Sequence, residues 1–162
     1  MHDTPLLRSE RARLQHLRRT IVVGILGHGK AMAAIPRLAA DLFTGHGFQA
    51  ARRWADACTD SWVIVCPRHG VITPEQIVEP YSVQLTALSV RERVEWGKAV
   101  IDVIQRRYAG LPIRLVAVTS ERHLELLCNS GVRIENPLRS KNMGQRVAWF
   151  TERAAGGELH GT

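Results

Sequence analysis

Three short runs of this chain are apolar almost throughout and rich in β-branched residues: Ile21-Val-Val-Gly-Ile-Leu26, Ser61-Trp-Val-Ile-Val-Cys66 and Ile113 to Val118. A strand with apolar side chains on both faces has to be covered on both faces, the condition of a strand inside a parallel sheet. Helical patterns stand between the runs. Phe48 to Ala57 places Phe48, Ala51 and Ala55 inward and Arg52 and Arg53 outward. Ser89-Val-Arg-Glu92 is a capping box opening a helix whose apolar stripe is Val90, Val94, Ile101, Ile104 and Tyr108. Ser120 caps a helix that stops before Gly131, and a last helix runs from Gly144 to about Ala154. Thr73-Pro-Glu-Gln76 carries a capping box with proline at the first helical position, so a short helix is expected there. Leu6 to Arg19 reads as a basic helix.

The expected fold is therefore α/β: a single three-layer domain over residues 20–155 with a mostly parallel central sheet. A basic helix over 1–19 precedes it, and a flexible tail over 156–162 comes after. The length of 162 residues fits one domain, and the composition, 45% hydrophobic and 23% charged, excludes disorder. No apolar run approaches the roughly 20 residues of a membrane span, and no secretory signal is readable. Cys58, Cys66 and Cys128 form an odd set without paired spacing, which points to reduced thiols and a cytoplasmic setting.

Charge narrows the partners. Lys+Arg 22 against Asp+Glu 15 leaves +7, and Lys30, Lys98 and Lys141 are the only lysines. Arginine pairs bidentately with phosphate and stacks on bases, so the excess points to nucleic acid or nucleotides. A coding bias towards arginine is the plainer alternative.

Parallel sheets bind ligands at the carboxyl ends of their strands. Four loops lie there: Gly27–Lys30, Pro67–Tyr81, Thr119–Arg122 and Glu135–Gln145. Gly27-His28-Gly29-Lys30 combines close backbone approach with one cation, which suits an anion, base or sugar, or else is a plain turn. Arg68-His69-Gly70 and Glu79-Pro-Tyr81 share one loop, where a carboxylate near a histidine suits proton transfer and a tyrosine suits base stacking. The plainer alternative has these residues packing the loop. Asn136 to Arg146 sets Arg139, Lys141 and Arg146 with Ser140, Asn142 and Gln145 beside a helix N-terminus, which is phosphate chemistry or a solvated loop. Cys66-x-x-His69 has metal-like spacing, but no second pair completes four ligands, so no metal and no cofactor is expected.

The blocks Gly27-x-Gly-Lys-Ala31, Asp41-Leu-Phe-Thr-Gly45, Arg68-His-Gly-Val-Ile-Thr-Pro74, Glu79-Pro-Tyr81 and Pro137-Leu…Gly144-Gln145…Trp149 resemble a family of small uncharacterised bacterial and phage domains. Its members read G-C-G-K, L-Y-T-G, A-K-H-G-L-x-x-P, E-P-Y-D and P-L-x-G-L-x-I-G-Q. The likeness spans residues 20 to 150, with His28 in place of the family's cysteine, Met32 of its second lysine and Ser82 of its last aspartate. More distantly the chain is similar to YaaA-type DNA-binding stress proteins and to a domain of archaeosine-forming enzymes. Glu79-Pro-Tyr81 and Asn136-Pro-Leu-Arg-Ser140 also look like the D-P-Y and H-P-S-P-L-S motifs of uracil-DNA-glycosylase enzymes, in the same order.

These resemblances imply nucleobase chemistry. The leading expectation is a monomeric DNA N-glycosylase that flips out a modified base, as anti-phage defence would require. Glu79 would supply the anion, with Asp41 in reserve, and His69 and Lys30 would polarise the base. Gly27, His28, Gly29, Phe43 and Tyr81 would hold that base, and Arg68, Arg139, Ser140, Lys141, Asn142, Gln145 and Arg146 the phosphates. A non-catalytic DNA- or RNA-binding module and an N-glycosidase of free nucleotides are the alternatives.

Overall fold

A computed structural model describes residues 19–156. In chain order its elements are β1 (Ile21–Gly27), β2 (Arg37–Leu38), α1 (Ala39–Leu42), α2 (His46–Cys58), β3 (Ser61–Cys66), β4 (Gly70–Ile72) and β5 (Ile77–Val78). A 3-10 turn over Leu85–Ala87 comes next, then α3 (Val90–Arg107), β6 (Ile113–Val118), α4 (Glu121–Cys128), β7 (Ile134–Glu135) and α5 (Met143–Gly156). The main sheet has the order β4-β3-β1-β6-β7, and β4 alone runs antiparallel to its neighbour.

Alternation along the buried strands produces the layers. Val22 and Leu26 of β1 face α2 and α5, packing with Phe48, Trp54 and Phe150. Ile21, Val23 and Ile25 face the opposite way, against Trp96, Val100 and Ile104 of α3 and Leu124 and Leu127 of α4. Two apolar cores on either side of one sheet make the three-layer α/β fold that the apolar runs foretell. Among the described residues no helix is long and apolar enough to cross a membrane.

The connections position the site. The chain leaves β1 for the layer of α2, but leaves its neighbour β6 for the layer of α4. Adjacent strands whose connections part to opposite faces leave a crevice between them. Register then sets the level: Leu26 stands beside Val118 and Gly27 beside Val65. Continued one residue on, that register sets Thr119 beside Gly27 and Cys66 beside His28, so the three strand ends finish within one residue of the same height.

The structure corrects several expectations. No helix starts at Thr73: Gln76 Oε1 accepts the Thr73 backbone N–H at 2.7 Å, closing a turn. That turn leads directly into β5, which pairs antiparallel with β2. Val90 and Val94 do not join the buried stripe of α3, being 76% and 38% exposed. They flank a groove between α3 and α4, and Trp96, Val100, Ile101, Ile104 and Tyr108 carry the burial instead. Arg52, expected outward, is half-buried and donates to the Ala40 carbonyl at 2.9 Å. Helix α5 runs through Gly156, the first residue of the expected tail. The basic helix placed at 1–19 and the tail beyond Gly156 otherwise lie outside the described residues.

Candidate functional site

At the crevice between β1 and β6, a β-carbon on Gly27 would sit 2.4 Å from Thr119 Oγ1, so only glycine admits this approach of the two strand ends. The chain then turns and presents His28. Its imidazole lies nearly parallel to the Tyr81 ring, with centroids 6.1 Å apart and planes at 23°. Phe43 meets the same imidazole edge-on at 6.4 Å, and His123 of α4 does so at 5.5 Å. His69 stands edge-on to Tyr81 at 5.4 Å, and Trp96 closes the far side of His123 at 5.4 Å.

Beside this cluster lies a cavity of about 580 Å³, bounded by the loop after β1, the loop after β6 and the first turns of α5. His28, Lys30, Phe48, Thr119, His123 and Arg146 are among its walls. Its size is that of ordinary small-ligand sites. The sequence-predicted residues divide around it. Gly27, His28, Gly29, Lys30 and Arg146 line it, whereas Phe43 and Tyr81 pack against His28 without doing so. His69 is exposed and reaches the cluster through Tyr81.

Neither candidate carboxylate is a wall of the cavity. Glu79 is exposed, and Asp41 Oδ1 accepts from Arg52 at 2.5 Å, an ion pair joining α1 to α2. Of the expected phosphate ligands, Asn142 and Gln145 cap α5 reciprocally, each side-chain oxygen accepting the other's backbone N–H at 2.9 Å. Ser140 turns the loop with φ of 62°. Arg146 donates to the Lys141 carbonyl at 2.9 Å and to the Thr119 carbonyl at 3.4 Å, which holds its guanidinium at the cavity. Arg68 and Arg139 are exposed, and Lys141 is half-buried.

His123 and Thr119 are not singled out by the sequence as site residues, yet both are more than nine-tenths buried and line the cavity. The one signal is Ser120: its hydroxyl accepts the His123 N–H as an N-cap and lies 2.6 Å from His123 Nδ1. Burial, with His28 close by, pushes the His123 imidazole down to about 4. Burial also lowers His28. His69 is lowered by burial and then by Arg68, while burial and the neighbouring Cys66 thiol hold the Tyr81 phenol well above its usual range. The two cavity imidazoles are neutral at pH 7 and serve as hydrogen-bond partners instead of cations. His28 Nδ1, Thr119 Oγ1 and His123 Nε2 are all buried and have no hydrogen-bond partner among the described residues. Among the described residues no three His, Cys, Asp or Glu side chains are grouped to hold a metal ion.

The fold and this crevice define an open α/β domain with a cavity at the carboxyl edge of a mostly parallel sheet. A family of unknown function (DUF6884) matches residues 23–152, and the chain belongs to that family. No curated protein and no solved structure matches the chain.

Proposed function

We propose that this chain is a DNA N-glycosylase that takes one nucleotide unit into the 580 Å³ cavity, base inward and phosphate outward. The observation that carries the reading is the make-up of the cavity's walls. Neutral imidazoles and the Phe48 ring line it, and the cations Lys30 and Arg146 stand on its walls. A nucleotide has that division of character, a flat neutral ring joined to an anion. The resemblance to YaaA-type DNA-binding proteins and the +7 charge favour nucleic acid, and the free cysteines fit a reducing cytoplasm.

In the reaction a water oxygen bonds to C1′ and the C1′–N bond breaks, its electron pair leaving on the base. The base takes up a proton, and the water's surplus proton passes to a carboxylate. Glu79, exposed two residues before Tyr81, fills that role in this reading. The test is incubation with normal and hypermodified phage DNAs, followed by abasic-site detection. Glu79→Gln is expected to lower single-turnover base release by about 10² to 10⁴ at unchanged melting temperature. Full activity in that variant removes Glu79 from the mechanism.

One observation favours a second reading, a non-catalytic DNA- or RNA-binding module: none of the residues lining the cavity is a carboxylate. Tight DNA binding without base release from any substrate would select it.

A further inference from the structure

Of the four tryptophans, Trp54, Trp62 and Trp96 are buried and Trp149 is half-buried. Its position explains the difference. Trp149 lies on α5 against the edge of the sheet, and β7, with two residues, is the last strand there. The indole walls one side of a hollow of about 260 Å³, whose other walls are Arg114 and Val116 of β6 with Glu135, Asn136 and Pro137. Trp54 supports the ring from the core at 5.6 Å, and the exposed Arg153 holds its guanidinium 5.4 Å from the ring centroid. Glu135, the one carboxylate on these walls, is paired with Arg114 at 2.5 Å. The hollow is smaller than the ~300 Å³ at which small-ligand sites begin, so it suits a single flat ring system. It adjoins the larger cavity: Pro137 and Trp149 line the one, and their chain neighbours Leu138 and Phe150 line the other. From Pro137 the loop goes on to Arg139, which is exposed, and Lys141, which is half-buried.

We infer that Trp149 and Pro137 form a stacking subsite for a second base of the strand whose nucleotide enters the larger cavity, and that this strand is single. The inference rests on the nucleotide reading above. An indole and a proline ring offer flat apolar surface, and every nucleobase has a face to lay on it, whatever the sequence. The surrounding charge selects a base over the apolar ring of a peptide. Arg139 and Lys141 follow in the same loop and Arg153 stands beside the indole, which suits a ring tethered to phosphates. Bases inside a duplex are stacked on both sides, so only a strand out of its duplex can lay one on Trp149. The larger cavity takes one nucleotide, the phosphates that follow cross the loop of Arg139 and Lys141, and Trp149 receives a base beyond them.

The test uses the full chain and a strand of twenty thymidines, alone or annealed to its complement, with affinity and tryptophan fluorescence as readouts. Because the other three indoles are buried, the single strand is expected to quench the emission and to shield it from acrylamide, and the duplex to do neither. Trp149→Leu is expected to bind the strand about five- to a hundredfold more weakly, the range of one lost base stack, and Trp149→Phe to restore part of the loss. Should the Leu variant fail to fold, quenching in the wild-type chain still decides. A strand that binds without quenching, or that binds folded Trp149→Leu as tightly as wild type, overturns the subsite and leaves the nucleotide reading standing. Equal quenching by the duplex overturns the single-strand assignment. Failure of the strand to bind overturns both readings.

Discussion

A β-carbon added at Gly27 would lie 2.4 Å from Thr119 Oγ1 and 3.1 Å from Thr119 Cβ, closer than side chains pack. One of the two strand ends has to move. Gly27→Ala is expected to lose ~1–3 kcal/mol of stability and to lower ligand affinity further by shifting Thr119 in the cavity wall. Urea melts of the variant beside ligand titrations would separate the two effects. A variant as stable as wild type would mean that Thr119 rotates away freely. The site's legibility in the sequence differs residue by residue for similar reasons. The Gly-x-Gly-Lys loop is recognisable because glycine and lysine at a strand end have few other uses. His123 is not, because a histidine three residues into an amphipathic helix reads as one more surface position. Only the strand register, which brings the end of β1 beside the end of β6, turns it into a wall of the cavity.

Helix α3 crosses α4 at Gly97, where a β-carbon would meet the Leu126 carbonyl oxygen at 2.5 Å and its carbonyl carbon at 2.9 Å. Backbone atoms cannot rotate aside. Gly97→Ala should therefore force the helices apart, costing ~1–3 kcal/mol despite alanine's better helix propensity. Thermal melts that show a gain in stability would overturn the close crossing. Long elements are readable where pattern and length agree: six or seven apolar residues admit a buried strand and little else. The short ones are not. β2 and β5 have two residues each and β4 has three, too few for any period to show. The box at Thr73 misleads because its bonds within four residues are shared by a helix start and by a tight turn. The downstream residues decide between them, and Ile77-Val78 forms a strand pair with Arg37-Leu38.

For the whole molecule, burial of histidine couples stability to pH. The His123 imidazole is held at about 4 in the folded chain, below the ordinary value near 6.5. Between those values the unfolded chain binds the proton and the folded chain does not. Stability is thus complete above about pH 6.5 and declines as pH falls towards 4, by on the order of 3 kcal/mol from this group. His28 adds to the decline in the same direction. Melting temperatures from pH 8 to 4 should show it, and His123→Asn should flatten the acid limb. A variant curve parallel to wild type would locate the proton uptake elsewhere. Charge acts at the same scale. Binding of long DNA should weaken roughly tenfold or more between 50 and 200 mM salt, and Arg139→Ala with Lys141→Ala should lower the salt slope by about two. An unchanged slope would take that loop out of the interface.

The place of β1 at the centre of the sheet also governs how the protein is made. Its partner on one side, β3, begins at Ser61, but its partner on the other, β6, begins only at Ile113. During synthesis at about 5 to 20 residues per second, β1 waits several seconds or more for that second neighbour. Through that interval it has an open edge of unpaired backbone groups. The half-sheet also lacks the cover of α4 over Ile25 and Val23. The cavity, walled by residues from the first third of the given sequence and from its last, cannot exist before α5 has left the ribosome. Premature truncation anywhere before α5 should therefore yield a sticky fragment that lacks the cavity.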